Sequence, residues 1–248
     1  MNDVVTLNYP DPRIAVVVLE DRAHSNLFSQ ALVEGLLRCF SAIADNSEAR
    51  VVVVHGYDAL FCTGGTQEEL LSILEGRIQF SDLPLYRLFL DCKIPVIAAL
   101  QGHALGGGLI MGLFADLVLL AEESLYSANF MKYGFTPGMG ATVILPIKLG
   151  LALASEMLLT ARGYRGGELR QRGIPFPVLK RKEVIPAALD LAHNLADKPL
   201  ISLTLLKQRL TTDLKVALPD GIAAELRMHE ISFAQPETRQ RIETLFGQ

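Results

Sequence analysis

The chain has 248 residues, of which 50% are hydrophobic and 20% charged, and its formal net charge is -4 at pH 7. A chain of this length and apolar content can bury a full α/β core, which excludes a disordered protein. The net negative charge gives no general attraction to nucleic acid or to an acidic membrane, so we expect neither as a partner. The basic run at residues 180–182 offers a local site for an acidic partner, although solvated surface is the simpler interpretation.

The sequence carries no pattern typical of export or of membrane insertion. Residues 1–8 lack the basic and apolar regions of a secretory signal, and the three cysteines have no metal-ligand spacing. The most apolar stretch, residues 94–121, is interrupted by polar residues and three consecutive glycines, which favours buried strands and a helix. We therefore expect a protein of the reducing cytoplasm, without a metal site or a membrane span.

The first predicted elements are two antiparallel strands at residues 4–8 and 14–19, with Pro10 and Pro12 supplying the turn between them. A helix follows, for which Ser29 is the predicted cap. Apolar residues recur along it at helical spacing, which predicts that it packs against a sheet. These residues are Leu32, Leu36, Leu37, Phe40 and Ile43.

Strands recur further along the chain, with helical segments between them, near Val51, Val96, Leu117 and Val178. This alternation predicts an α/β fold with right-handed crossovers. From about residue 198 onward the pattern is helical and no strand is predicted. Prolines, including Pro219 and Pro236, separate the three helical patterns there, which cover residues 200–210, 222–233 and 238–246.

Two glycine-rich segments, residues 61–66 and 102–108, each follow a short predicted strand. Gly65 would lie just past the first of these strands, and Gly107 would lie in the first turn of a helix. Backbone N–H groups in a first helical turn have no intrahelical acceptor, and the helix dipole is positive there. We therefore interpret Gly65 and Gly107 as the two donors of an oxyanion hole for an enolate.

The order and spacing of four segments resemble the crotonase (enoyl-CoA hydratase/isomerase) superfamily over nearly the whole chain. The segments are residues 61–65, 94–108, 115–116 and 135–140. The resemblance implies a spiral of ββα units, with the acyl-thioester site in residues 1–197. It also implies a C-terminal helical trimerisation region at residues 198–248, and thus a homotrimer or a dimer of trimers.

Hydratases of this superfamily are similar in carrying two glutamates that handle water, and the matching positions here are Ile110 and Phe130. Adding water across a double bond needs one group to deprotonate water and another to protonate carbon. Apolar side chains at both positions therefore argue against hydration. They would also form an apolar wall that does not repel an anionic substrate, although both residues fit a purely structural core role.

One branch of the superfamily resembles the chain more closely, namely the methylglutaconyl-acyl-carrier-protein decarboxylases of polyketide β-branching cassettes. The segments that carry this resemblance are residues 64–68, 127–142 and 228–230. It implies a carbon–carbon lyase that converts a 3-methylglutaconyl thioester into a 3-methylcrotonyl thioester with loss of CO2. The substrate would be held on the phosphopantetheine of an acyl carrier protein, which would be the partner, and no separate cofactor is implied.

The resemblance also assigns the proton-handling positions. The branch has a histidine on a C-terminal helix, which matches His229, and histidine titrates near neutral pH. It has a lysine in the segment after the first glycine pair, and the matching residue here is Gln79, which can only form hydrogen bonds. The nearby Arg77 could replace that charge, although a solvated arginine is the simpler interpretation.

Further residues are predicted to contact the substrate. They are Gln79, His103, Ile110, Phe130, Tyr133 and Gly138. For His103 a hydrogen-bonded core histidine is the alternative, and Gly138 also fits a simple turn before a helix. Two other functions stay open for the chain as a whole, an enoyl-thioester isomerase and a non-catalytic scaffold that binds acyl groups or carrier proteins.

Overall fold

The computed structural model describes residues 3–79, 82 and 85–246. The strands are β1 (Val5–Asp11), β2 (Ile14–Leu19), β3 (Val51–His55), β4 (Leu60–Cys62), β5 (Val96–Leu100), β6 (His103–Leu105), β7 (Leu117–Ala121), β8 (Leu125–Ser127), β9 (Tyr164–Arg165) and β10 (Val178–Leu179). The helices are α1 (Gln30–Asp45), α2 (Gln67–Leu74), α3 (Leu85–Asp91), α4 (Gly107–Leu113), α5 (Ala141–Leu149), α6 (Leu151–Thr160), α7 (Gly166–Gln171), α8 (Arg181–Ala196), α9 (Leu200–Ser232) and α10 (Pro236–Leu245), with a 3-10 turn at Asn129–Tyr133.

The strands form two sheets. The larger has the order β1-β2-β3-β5-β7-β10 and the smaller the order β4-β6-β8-β9. In the larger sheet β1 and β2 are antiparallel and every other neighbouring pair is parallel. The predicted α/β alternation is therefore confirmed.

The larger sheet is buried on both faces, as parallel sheets usually are. Because side chains alternate along a strand, Val51 and Val53 of β3 face one side while Val52 and Val54 face the other. The first side packs against α8, whose small residues recur every four positions. These are Val184, Ala188, Ala192 and Ala196.

The predictions for the N-terminal region are confirmed except at Leu37 and at one proline. Leu37 directly follows Leu36 and lies off the buried face of α1, so it is exposed. The Ser29 hydroxyl caps α1 by accepting the Leu32 N–H at 3.2 Å. Pro10, however, lies within β1 rather than in the turn. A proline is tolerated there because β1 is an edge strand, and the pairing register shifts between Asn8 and Asp11.

The prediction that Pro219 separates two helices is wrong, because α9 is one helix of 33 residues that continues through it. Leu218 is buried, and a β-carbon built on Gly140 at the start of α5 would lie 2.6 Å from its side chain. This packing offsets the one backbone hydrogen bond that α9 lacks at Pro219.

Within the described ranges no helix is long and apolar enough to cross a membrane.

The smaller sheet positions the two glycine-rich segments. β4 and β6 are parallel neighbours, so the loops that leave their carboxyl ends start at the same edge of the sheet. After β4 the chain passes through Gly64 and Gly65 into α2, and after β6 it passes directly through Gly106 into α4. The two glycine segments are thus brought together by the sheet.

Candidate active site

A cavity of about 650 Å³ lies where these two loops meet. Gly65 and Gly107 both line it, as the sequence predicts. Other parts of the wall come from the loop before α1, from α2, from the 3-10 turn at Asn129–Tyr133 and the segment that follows it, and from Phe246 after α10. The two glycines of the predicted donor pair therefore border one shared cavity.

Gly64 holds the first loop against the start of α4. Its φ is +88°, and a β-carbon built on it would lie 2.9 Å from the Leu105 carbonyl oxygen and 3.0 Å from the Gly107 nitrogen. Its own carbonyl oxygen accepts the Phe28 N–H at 2.7 Å. A side chain at residue 64 would force the two segments apart, so glycine is required there.

The second loop depends on close backbone approach as well. Gly106 caps α4 with a φ of +51° and donates its N–H to the Ser127 carbonyl oxygen at 2.8 Å. A β-carbon on Gly108 would lie only 2.2 Å from the Cys62 carbonyl oxygen. Gly107 is the first residue of α4, so its N–H has no intrahelical acceptor and is free to bind a ligand oxygen.

Aromatic side chains form the apolar wall of the cavity. Phe130 is buried and meets Phe135 edge to face at 6.1 Å between ring centroids. Tyr133 stacks against Phe135 at 6.1 Å and lies 6.0 Å from the ring of Phe246. Burial raises the pKa of the Tyr133 phenol, so it stays neutral. Two of the predicted substrate contacts, Phe130 and Tyr133, thus lie in the cavity lining.

The fold and the cavity agree with the comparisons to known proteins. The family model described as enoyl-CoA hydratase/isomerase matches residues 11–245. The chain belongs to this family. The crotonase-type fold expected from the sequence is thereby confirmed.

Several decarboxylases are similar to this family member. Bacillaene synthase decarboxylase PksI from Bacillus subtilis (strain 168) is 52% identical over 246 residues, which cover 99% of each chain. The structure of a dehydratase/decarboxylase enzyme couple involved in polyketide β-branching matches with a TM-score of 0.97 and 52% identity, covering 98% of this chain and 96% of that one. The ECH2 decarboxylase domain of CurF from Lyngbya majuscula matches with a TM-score of 0.95 and 44% identity, covering 99% and 100%.

Glu69 also lines the cavity, and it is not among the residues predicted from the sequence. Glu69, in the first turn of α2, has one oxygen, Oε2, that accepts the Thr66 N–H at 2.8 Å and the Thr66 hydroxyl at 3.2 Å. Burial raises the pKa of this carboxyl, against the effect of both hydrogen bonds. The available signal was the capping-box spacing from Thr66 to Glu69 ahead of an apolar run.

His229 lies on α9 behind the cavity wall and is not among its lining residues. Its Nε2–H donates to the carbonyl oxygens of Thr136 and Pro137, both at 3.0 Å, and its ring meets Phe233 edge to face. Burial lowers the pKa of the imidazole, so its neutral form is favoured. Its role as proton donor stays a prediction.

Two further predicted contacts lie outside the cavity lining. The Nδ1 of His103 accepts the Leu125 N–H at 2.9 Å, and burial lowers the pKa of its ring. This geometry matches the alternative of a hydrogen-bonded core histidine. Ile110 is fully buried within α4 and belongs to the main hydrophobic core.

Gly138 and Gln79 are also outside the lining. The Gly138 carbonyl oxygen accepts the Ala141 N–H at 3.2 Å, in a turn at the start of α5. Gln79 is exposed, and its backbone N–H donates to the Asp82 carboxylate at 2.8 Å. Arg77 pairs with Glu75 at 2.7 Å, so its charge is already matched away from the cavity.

Among the described residues no group of three or more His, Cys, Asp or Glu is placed to hold a metal ion.

Proposed function

We propose that this chain is a decarboxylase that releases CO2 from a 3-methylglutaconyl thioester carried on an acyl carrier protein, in polyketide β-branching. The product is the 3-methylcrotonyl thioester. The observation that carries the proposal is the pairing of Gly65 and Gly107 on one apolar cavity, because it supplies two backbone donors to one thioester oxygen. The extended similarity to decarboxylases supports the same reaction.

The two donors act on the charge that develops during the reaction. When the bond to the carboxylate breaks, its electron pair delocalises through the conjugated system onto the thioester oxygen. Hydrogen bonds from Gly65 and Gly107 become stronger as that oxygen gains negative charge. Each donor of this kind typically supplies about 3 kcal/mol of transition-state stabilisation, which is roughly a hundredfold in rate.

The apolar wall supports decarboxylation over hydration. Phe130 lines the cavity at one of the positions where hydratases have a glutamate, and Ile110 fills the other within the core. Neither can deprotonate water. The substrate carboxylate would also leave water on entering this wall of aromatic rings, which favours its conversion into neutral CO2.

The carrier protein brings its substrate on a phosphopantetheine arm, and the proposed reaction requires no other cofactor. Binding on a flexible arm requires only a cavity that opens to the surface. His24, whose side chain is 57% exposed, lies on this cavity's lining and marks its accessible end. A carrier protein would therefore dock on the side of the molecule that presents His24.

Self-association is part of the proposal, as a homotrimer or a dimer of trimers. Large apolar side chains on α9 are between 57% and 73% exposed, and such exposed apolar surface is typical of an interface. These residues are Ile201, Leu205, Leu206, Leu210, Val216 and Ile231. Light scattering on the purified chain measures the number of subunits.

Intact-mass measurement of a 3-methylglutaconyl carrier protein incubated with the enzyme tests the proposed reaction. Loss of the mass of CO2 that depends on the enzyme supports it. A shift of the double bond without a change of mass indicates an isomerase instead. Binding with no chemical change indicates the non-catalytic scaffold, and either of these two results contradicts the proposal.

A further inference from the structure

The proposed reaction leaves a dienolate that must take up a proton. The predicted proton donor, His229, lies behind the wall rather than in the lining, and Gln79, at the position of the branch's lysine, lies at the surface. The titratable residues of the lining are His24, Glu69, Lys132 and Tyr133. A proton donor is best placed beside one of the two oxyanion donors, Gly65 and Gly107.

Glu69 occupies that place. Glu69 lies beside Gly65, since a β-carbon built on this glycine would be 3.6 Å from Glu69 Oε2. Its Oε2 accepts hydrogen bonds from the Thr66 N–H and hydroxyl. Its Oε1 takes part in none of the hydrogen bonds among the described residues. We propose that Glu69, in its neutral acid form, donates the proton that quenches the dienolate. This assignment rests on the proposed decarboxylase function.

The negative charge of the substrate favours the acid form of Glu69. An ionised Glu69 would repel the substrate carboxylate, whereas a neutral carboxyl group would not. Burial raises the pKa of Glu69, and a bound acyl chain would remove more water from it. Burial and the charge of the substrate thus both act toward the acid form of Glu69.

The proposed step balances as follows. The carbon–carboxylate bond breaks, CO2 leaves, and the electron pair enters the dienolate with its charge on the thioester oxygen. The O–H bond of Glu69 then breaks, and its proton forms the new C–H bond of the product. The resulting Glu69 carboxylate takes up a proton from solvent, so one proton is consumed for each CO2 released.

Glu69 also has a structural role, and the test has to separate the two. Its carboxylate is the third residue of α2 and closes a capping box with Thr66. Glutamine fills the same position of a capping box and cannot donate an acid proton. Glu69→Gln therefore removes the proposed chemistry and keeps the cap.

Glu168→Gln is a matched control. Glu168 is the third residue of α7, and its Oε2 accepts the Arg165 N–H at 2.8 Å, as Glu69 does with Thr66. It lies outside the cavity lining. Both substitutions therefore replace a capping carboxylate by its amide, but only one of them lies in the proposed site.

The experiment is single-turnover decarboxylation of the 3-methylglutaconyl carrier protein by the wild-type chain, Glu69→Gln and Glu168→Gln, with thermal unfolding of each. We expect Glu69→Gln to slow product formation by about a hundredfold or more, the usual range for loss of a general acid. Its Tm should stay near that of the wild type, and Glu168→Gln should turn over normally. An undiminished rate in Glu69→Gln overturns the assignment, whereas a wild-type chain that releases no CO2 overturns the proposed function as well.

The rate of the wild-type chain as a function of pH provides a second measurement, independent of any variant. If Glu69 must be protonated, the rate falls as pH rises through its pKa. The described titratable groups nearby are Glu68 on the same helix, His24, Lys132 and Tyr133 on the cavity wall, and the pair Arg239–Glu75 where α10 packs on α2. A falling limb that disappears in Glu69→Gln assigns the titration to Glu69. A wild-type rate that stays constant between about pH 5 and 9 overturns the proposal, even if Glu69→Gln does not fold.

Discussion

Glu225 and His229, one turn apart on α9, both bind the backbone of the loop before α5, Glu225 as a hydrogen-bond acceptor and His229 as a donor. Glu225 accepts the backbone N–H groups of Gly140 and Thr142, each at 2.8 Å, and His229 donates to two carbonyl oxygens earlier in that loop. Because the loop carries Phe135 and Met139 into the cavity, α9 controls the shape of the site without lining it.

Glu225→Ala should destabilise the protein, because it leaves the buried Gly140 N–H and the partly buried Thr142 N–H at the start of α5 without this acceptor. We expect a loss of at least about 2 kcal/mol in the free energy of unfolding, measured by urea denaturation. Glu230→Ala, at an exposed position on the same helix, is the control and should change it little. Equal stability of the two variants would show that the Glu225 contacts contribute nothing net.

His229→Gln should weaken the dependence of stability on pH. Burial lowers the pKa of His229 in the folded state, so the unfolded chain binds more protons below about pH 6.5, the usual histidine pKa. Stability is therefore full above that pH and is lost as pH falls, by up to about 1.4 kcal/mol per pH unit for each such group.

Glutamine at residue 229 keeps an N–H donor for the Thr136 and Pro137 carbonyl oxygens but does not titrate. Urea denaturation between about pH 5 and 7 should give a shallower slope for the variant than for the wild type. The remaining slope belongs in part to His55 and His103, whose pKa values burial also lowers. Identical slopes would mean that His229 titrates normally in the folded chain.

Gly108→Ala and Gly65→Ala should differ sharply. The first places a β-carbon 2.2 Å from the backbone oxygen of Cys62, so α4 has to move, with an expected loss of about 3 kcal/mol and of turnover. The second meets Glu69 Oε2 at 3.6 Å, an ordinary contact, and keeps the backbone donor, so it should cost less than about 1 kcal/mol. Urea denaturation and turnover of both variants check this ordering, and a Gly65→Ala variant as unstable as Gly108→Ala would contradict it.

Gln79→Lys should have little effect on turnover. Gln79 is exposed and outside the cavity lining, so solvent would screen an ammonium group there, and we expect a change in rate of no more than about twofold. Steady-state kinetics with the carrier-bound substrate measure the change. A gain of tenfold or more would place residue 79 at the reacting atoms and weaken the assignment of Glu69.

The parts of the fold that depend on local patterns could be predicted from the sequence. The strands of the larger sheet, the Ser29 cap and the two glycine segments follow from alternation, capping chemistry and backbone freedom, each of which is local. The short strands of the smaller sheet, β4, β6, β8 and β9, were not predicted. Pro219 shows the limit, because α9 continues through it by virtue of Leu218 packing on α5. That contact joins residues far apart in the chain.

The candidate site was predicted in part for the same reason. The position of Gly65 and Gly107 on one cavity could be predicted because their proposed chemistry resides in the backbone. The positions of Phe130 and Tyr133 on its wall could be predicted because their segment resembles a known family. Glu69 was missed because its spacing from Thr66 reads as a helix cap, and only the three-dimensional structure places it beside Gly65.

The central claim is that the Gly65 and Gly107 N–H groups bind the thioester oxygen. A crystal structure with a non-reactive pantetheine amide analogue of the substrate tests it most directly. We expect the amide oxygen, which stands in for the thioester oxygen, about 2.7–3.1 Å from both nitrogens. An analogue bound in the cavity with that oxygen away from either glycine would contradict the claim.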